Sequence, residues 1–177
     1  MTADLSVRVK KALRAVPDYP KPGIIFQDIT PVMADGGLFG EVIAAMVDPF
    51  KERGVTHILG IEARGFIFGA AAAQALGVGF IPARKPGKLP WDRLQESYAL
   101  EYGNDALEAH SDACPSGTRV LIVDDVLATG GTAQAAGNLI SKLGGELVGW
   151  SFVIELGFLP GRSRLSGATA QSLVVLN

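Results

Sequence analysis

Two adjacent carboxylates, Asp124 and Asp125, follow four apolar residues, Val120 to Val123, and precede the loop Ala128-Thr129-Gly130-Gly131-Thr132. The apolar run predicts a buried strand. After the loop, Ala133, Ala136, Ile140 and Leu143 recur on one face of a helix that Gly144-Gly145 closes. Free N–H groups and the positive end of the helix dipole would face the loop, which makes residues 128–132 an anion cradle with Thr129 and Thr132 adding hydroxyl donors. A phosphate held there puts a sugar within reach of Asp124 and Asp125, whose oxygens accept hydrogen bonds from ribose hydroxyls. The simpler reading is a helix-capping Asp beside a solvent-facing one, but two like charges side by side repel unless a ligand uses them.

Cations that could meet a second anionic group stand at two places. Arg64, in Glu62-Ala63-Arg64-Gly65, carries a fork of donors matched to phosphate oxygens, and Gly65 lets a helix begin close to a ligand. The alternative for Arg64 is a surface ion pair with Glu62. Arg84, Lys85 and Lys88 crowd three charges into a short stretch, which is either a polyanion-capturing cluster or a solvated run.

The strand, the Asp-Asp pair and the Ala-Thr-Gly-Gly-Thr loop resemble the signature of the type I phosphoribosyltransferases, which bind the 5′-phosphate and ribose of 5-phosphoribosyl 1-pyrophosphate (PRPP) there. Residues 22–31, 64–69, 84–90 and 97–103 look like segments of the adenine-using branch of that family, in the same order, so the likeness runs over roughly residues 17–160. It implies transfer of the phosphoribosyl group from PRPP to N9 of adenine, giving AMP and pyrophosphate in purine salvage. By the same resemblance Ala63, Arg64 and Gly65, with Arg84, Lys85 and Lys88, bind pyrophosphate; Ile25, Phe26 and Gln27 form the adenine pocket, which Leu159 closes. Phe26 and Leu159 taken alone would be read as core packing. The position of Gln27 often carries a basic residue in relatives. Glu101 matches a catalytic acid near the purine, its alternative being an exposed loop acid, and Tyr102 belongs to a lid. The resemblance further implies Mg²⁺ carried by PRPP and pyrophosphate with no direct protein ligands, and a homodimer in which Arg84 reaches the neighbouring site.

Residues 57–61, 78–81, 120–123 and 147–154 are apolar without alternation, as expected of strands covered on both faces, and helical segments separate most of them. This predicts one α/β domain over residues 1–177, an open, mostly parallel sheet flanked by helices, with ligands at the carboxyl ends of the strands. Leu5, Val9, Ala12, Leu13 and Val16 predict an amphipathic helix stopped by Pro17, and residues 39–50 another. Residues 66–83 superficially resemble a membrane span, but Gly77 and Gly79 divide them into a helix over 65–76 and a short strand ended by Pro82. The polar stretch 84–105 is read as a flexible lid loop, the N- and C-terminal segments as a base-binding hood, and residues 165–177 as containing one more strand.

With 16 Lys plus Arg against 18 Asp plus Glu, the net charge of −2 gives no field for nucleic acid or an anionic membrane. One cysteine excludes an internal disulfide, two histidines are too few for a familiar zinc set, and the start of the chain lacks a secretory pattern, so a cytoplasmic setting is expected. Two rivals remain. A PRPP-sensing DNA-binding regulator would need a basic face, and an enzyme for an oxo-purine or pyrimidine would need the opposite hydrogen-bond polarity in its base pocket.

Overall fold

In the computed structural model, which describes residues 3–100 and 103–177, helix α1 (Ala3–Ala12) leads into strands β1 (Arg14–Pro17) and β2 (Ile25–Asp28). The helix expected to reach Val16 therefore ends four residues early. Residues 14–17 pair antiparallel with residues 25–28, and that ladder satisfies the backbone where Val16 and Pro17 are poor helix formers. Two helices follow, α2 (Thr30–Ala34) and α3 (Gly36–Val47), the second capped by the Asp35 carboxylate on the Leu38 N–H.

Strand β3 (His57–Ile61), helix α4 (Gly65–Leu76) and edge strand β4 (Gly79–Ala83) then form a parallel crossover unit. Pro82 lies inside β4 rather than ending it, which an edge strand tolerates because one side of its ladder is open. Among the described residues no helix is long and apolar enough to cross a membrane.

Residues 84–105 are not a simple loop. Strands β5 (Arg93–Leu100) and β6 (Gly103–His110) make an antiparallel hairpin in which Tyr98 faces Asp105. Leu107 and Ala109 of β6 are fully buried. Read as a polar run, the segment hid a strand pair whose second strand is buried over Ala106 to Ala109.

Strand β7 (Arg119–Leu127), helix α5 (Gly131–Lys142), strand β8 (Glu146–Leu156) and strand β9 (Thr169–Leu176) complete the chain. The central sheet has the order β4-β3-β7-β8-β9, parallel throughout, with β9 at an edge. Alternation within β7 explains its unbroken apolar run: Leu121 and Val123 pack with α3 and α4 on one face, while Val120 and Ile122 pack with α5 and β6 on the other. The hairpin is tied to α5 by Glu96, which meets Lys142 Nζ at 2.5 Å and Asn138 Nδ2 at 2.9 Å.

The carboxyl end of α3 leaves carbonyls that its own helix cannot use. Gln171 Nε2 of β9 donates to the Met46 carbonyl at 2.6 Å, and the fully buried Ser151 Oγ of β8 donates to it at 2.9 Å. Replacing Gln171 by Leu leaves the Met46 carbonyl its bond from Ser151, so the cost should be about 0.5–1.5 kcal/mol, the net worth of a lost hydrogen bond. Urea unfolding checks this as a lower midpoint at unchanged slope.

Candidate active site

A cavity of about 480 Å³ opens at the carboxyl ends of β3 and β7, lined by Ile24 to Gln27, Ile61 to Arg64, Lys85, Asp124 to Val126, Ala128, Thr132 and Leu156. A smaller one of about 90 Å³ continues from it, walled by Asp124, Val126 to Gly130, Thr132 and Ala133. Asp124, Val126, Ala128 and Thr132 border both spaces, so a ligand spanning them would pass the acidic residue on the way to the loop.

The small space is the mouth of α5. Gly130 caps the helix at φ 80°, in the left-handed region that favours glycine, and among the described residues no side chain bonds to the first-turn amides. The N–H groups of Gly131, Thr132 and Ala133 precede the first helical acceptor, since the ladder begins with Gln134 N on the Gly130 carbonyl at 2.9 Å. Main-chain donors and two threonine hydroxyls thus surround a cavity at the positive end of a helix.

Asp124 and Asp125 lie inside β7 rather than after its end, because the ladder with β8 runs on to Leu127. Their side chains consequently leave opposite faces of the strand. Asp125 is buried and accepts from Arg64 Nε, so Arg64 pairs with the acidic motif and not with Glu62. Asp124 Oδ1 accepts its neighbour's N–H at 2.9 Å, and it packs so close to Gly65 that a Cβ there would approach it to 2.7 Å. Gly65 therefore admits the carboxylate of β7 as well as the start of α4. Burial first, and the Asp125 charge second, push the Asp124 carboxyl well above the usual range.

The remaining cations are also held by carboxylates. Arg84 bonds both oxygens of Glu62, at 3.4 Å from Nε and 3.3 Å from Nη2, and the Lys88 carbonyl at 3.2 Å. Glu62 takes the Lys85 N–H at 2.8 Å, and that bond, ahead of Arg84, lowers its carboxyl below the ordinary value. Lys85 Nζ donates to Asp105 and, at 2.9 Å, to the Tyr98 hydroxyl. Burial opposes the lysine charge, yet these partners leave its pKa raised. Lys85 lines the large cavity; Arg84 and the exposed Lys88 do not.

Phe26 is not a core residue. It lies half-buried in β2, edge-on to Tyr19 at 5.3 Å, with the Arg64 guanidinium 5.7 Å from its ring centre. Ile25 is 62% exposed on the cavity rim. Leu159 sits in the turn after β8 and does not line the cavity; Leu156, three residues earlier, does. Glu101 and Tyr102 lie outside the described residues. Sequence reading missed Leu156, Ile61 and the Tyr98–Asp105 partnership; strand ends supplied a signal for Ile61, but the last needs the hairpin register.

An acidic pair in a parallel strand, followed by a glycine loop opening a helix, sets hydroxyl-accepting carboxylates beside an anion-ready helix mouth. A model of the phosphoribosyl transferase domain matches residues 37–157, more than half of the chain. The adenine phosphoribosyltransferase of Myxococcus xanthus is 57% identical over 174 residues, covering 98% of this chain and 92% of that protein. The crystal structure of the Rhodothermus marinus adenine phosphoribosyltransferase superposes with a TM-score of 0.94 at 49% identity, covering 99% of this chain and all of that one. That of Saccharomyces cerevisiae, complexed with an imino-altritol bisphosphate and adenine, gives 0.91 at 44% identity, covering 97% and 99%. The chain belongs to the adenine phosphoribosyltransferase family.

The raised carboxyl of Asp124 has a stability consequence. A group protonated in the folded state and ionised in the unfolded one makes stability fall as pH rises from the unfolded pKa through the folded pKa. Asp124→Asn keeps an oxygen for the Asp125 N–H and removes the buried charge, so the unliganded variant should melt a few degrees higher, by a margin that widens with pH across that window. Melting curves in a pH series test it.

Proposed function

We propose that the chain transfers the 5-phosphoribosyl group of PRPP to N9 of adenine, releasing pyrophosphate and forming AMP. The observation that carries this reading is the continuity of the two cavities through Asp124, because a phosphate cup, a carboxylate and a larger base-sized chamber follow in the order of the substrate's own groups. The family membership and the adenine-bound yeast relative support the choice of base.

The 5′-phosphate sits on the first-turn amides of α5, with Ala128, Thr129, Gly130, Gly131 and Thr132 around it. Asp124 and Asp125 accept from the ribose hydroxyls and stabilise positive charge as the C1′–O bond to pyrophosphate breaks and the N9–C1′ bond forms. Arg64 and Lys85 turn toward the leaving pyrophosphate, with Ala63 and Gly65 giving main-chain approach and Arg84 and Lys88 completing the cluster. Adenine lies between Phe26 and the Leu156 side of the chamber, Leu159 reaching it only from the turn, while the Ile25 to Gln27 backbone offers one donor and one acceptor to its edge. Glu101 meets the N7 side of the purine and assists proton movement, and the lid segment that includes Tyr102 covers the substrates.

Mg²⁺ enters on PRPP. Among the described residues no three His, Cys, Asp or Glu side chains gather as a ligand set, and Mg²⁺ ordinarily uses substrate oxygens with one or two carboxylates. The fit is to a metal that the pyrophosphate brings, with Glu62, Asp124 and Asp125 the acids lining the large cavity; when bound it would neutralise the departing oxygens. A homodimer is part of the reading: Arg84 does not line its own cavity, and its part in the pyrophosphate cluster is played at a neighbour's site once it gives up Glu62. The free thiol of Cys114 suits a reducing, cytoplasmic setting.

Purified protein given PRPP, Mg²⁺ and each of adenine, hypoxanthine, guanine, xanthine and uracil should form nucleotide efficiently with adenine alone. Efficient conversion of an oxo-purine instead would overturn the base assignment. The double change Asp124→Asn with Asp125→Asn should lower turnover on the order of a hundredfold or more in the same assay; near-normal AMP formation would remove the ribose role.

A further inference from the structure

The turn after β8 carries a glycine whose backbone needs no glycine. Gly161 has φ −54° and ψ −48°, helical values open to any residue. Its lack of a side chain is required by space: a Cβ would collide with the Ala128 carbonyl oxygen and come within 3.0 Å of the Leu127 side chain. The contact is reciprocal, for a Cβ on Gly130 would come to 2.6 Å from the Gly161 carbonyl oxygen. The turn thus lies directly against the outer wall of the small cavity at the mouth of α5.

Arg162, the next residue, fixes that turn to two strands. Its Nε donates to Glu155 Oε1 at 3.1 Å and its Nη2 to Glu155 Oε2, while Nη1 reaches the Ala170 carbonyl and Nη2 the Ser172 hydroxyl at 3.0 Å. Glu155 is buried and stands opposite Leu127, the last strand residue before the cup. Removing Arg162 would leave that carboxylate buried without its partner, and lysine, a point charge, cannot reproduce the fork.

We infer that Gly161 and Arg162 are positioning residues for the phosphate cup: Gly161 props Ala128 and Gly130 from behind, and Arg162, through Glu155, Ala170 and Ser172, holds Gly161 in place. This rests on the proposed placement of the sugar phosphate. Neither residue touches substrate. The effect is exerted on the subsite for the 5′-phosphate and not on the pyrophosphate side, which β3, α4 and the base of the hairpin build.

Ribose 5-phosphate and inorganic pyrophosphate, titrated separately into wild-type protein and into Gly161→Ala, Arg162→Ala and Arg162→Lys, report the two subsites independently, with melting curves alongside. The expected result is a loss of ribose 5-phosphate affinity on the order of tenfold to a hundredfold in Gly161→Ala and Arg162→Ala, since small displacements of a positioning element are costly. Arg162→Lys should fall between these and wild type, and pyrophosphate affinity should stay within about twofold, as sites without shared contacts behave independently. Unchanged ribose 5-phosphate binding in both alanine variants overturns the inference, and so does an equal loss of both ligands, which would mark general loosening. Wild-type protein that binds ribose 5-phosphate yet makes no AMP from adenine and PRPP would defeat the proposed activity and leave the positioning role standing.

Discussion

Amides in the first turn of a helix have no acceptor within the helix, and in α5 no side chain among the described residues supplies one. That vacancy of acceptors sets the terms for everything around it. A side-chain cap would stabilise α5 by about 1 kcal/mol and would occupy the donors that an anion needs. Gly130 provides the left-handed turn without offering a cap, and the sheet holds the loop from below by continuing β7 through Leu127. Stability at this helix end is exchanged for a binding site, which is where local rules are expected to be broken.

The cations nearest the cavity show the same economy. Arg64 rests on Asp125, Lys85 on Asp105 and Tyr98, and Arg84 on Glu62, so each positive group already has a carboxylate partner. A chain with net charge −2 can in this way keep a cluster of cations together without mutual repulsion. In the proposed reaction an incoming pyrophosphate would not meet bare charges but would exchange partners with these carboxylates. Lys85 and Asp105 are both partly exposed, so that pair is a weak one, whereas Asp125 is buried and its loss of Arg64 has to be offset by another donor. Asp125, released from Arg64, is then free to accept from a sugar hydroxyl.

Much of this was legible in the sequence. The strand at 57–61 and the helix at 65–76 stand where the apolar pattern put them, and the stripe Ala133, Ala136, Ile140, Leu143 is buried throughout. The loop from Ala128 to Thr132 lies at the helix mouth as its glycines imply. What failed were features decided by partners distant in the chain. Residues 14–17 look helical until residues 25–28 arrive to pair with them, and the hairpin at 93–110 looks like a polar loop until β6 meets the face of the sheet. The alternative considered for Arg64, a surface ion pair with Glu62, is set aside by the same kind of distant partner. Arg64 and Glu62 are neighbours in sequence, but each finds its partner on another element, across 61 and 22 residues.

Gly161 was invisible for a different reason. Its torsion angles are ordinary, and the Pro160-Gly161 dipeptide marks a turn without saying what that turn packs against. Only the approach of two backbones, that of the turn and that of the cup, makes its side-chain hydrogen irreplaceable. The cup is therefore walled by residues that follow β7 and backed by residues that follow β8, two adjacent parallel strands whose register sets the distance between them. A parallel sheet places the loops after neighbouring strands at the same end, so a site built from one loop acquires its support from the next at no cost in chain length. The precision of the phosphate site is in this sense a property of the β7–β8 pairing, and the residues that transmit it are those that lock the second loop to its own strand.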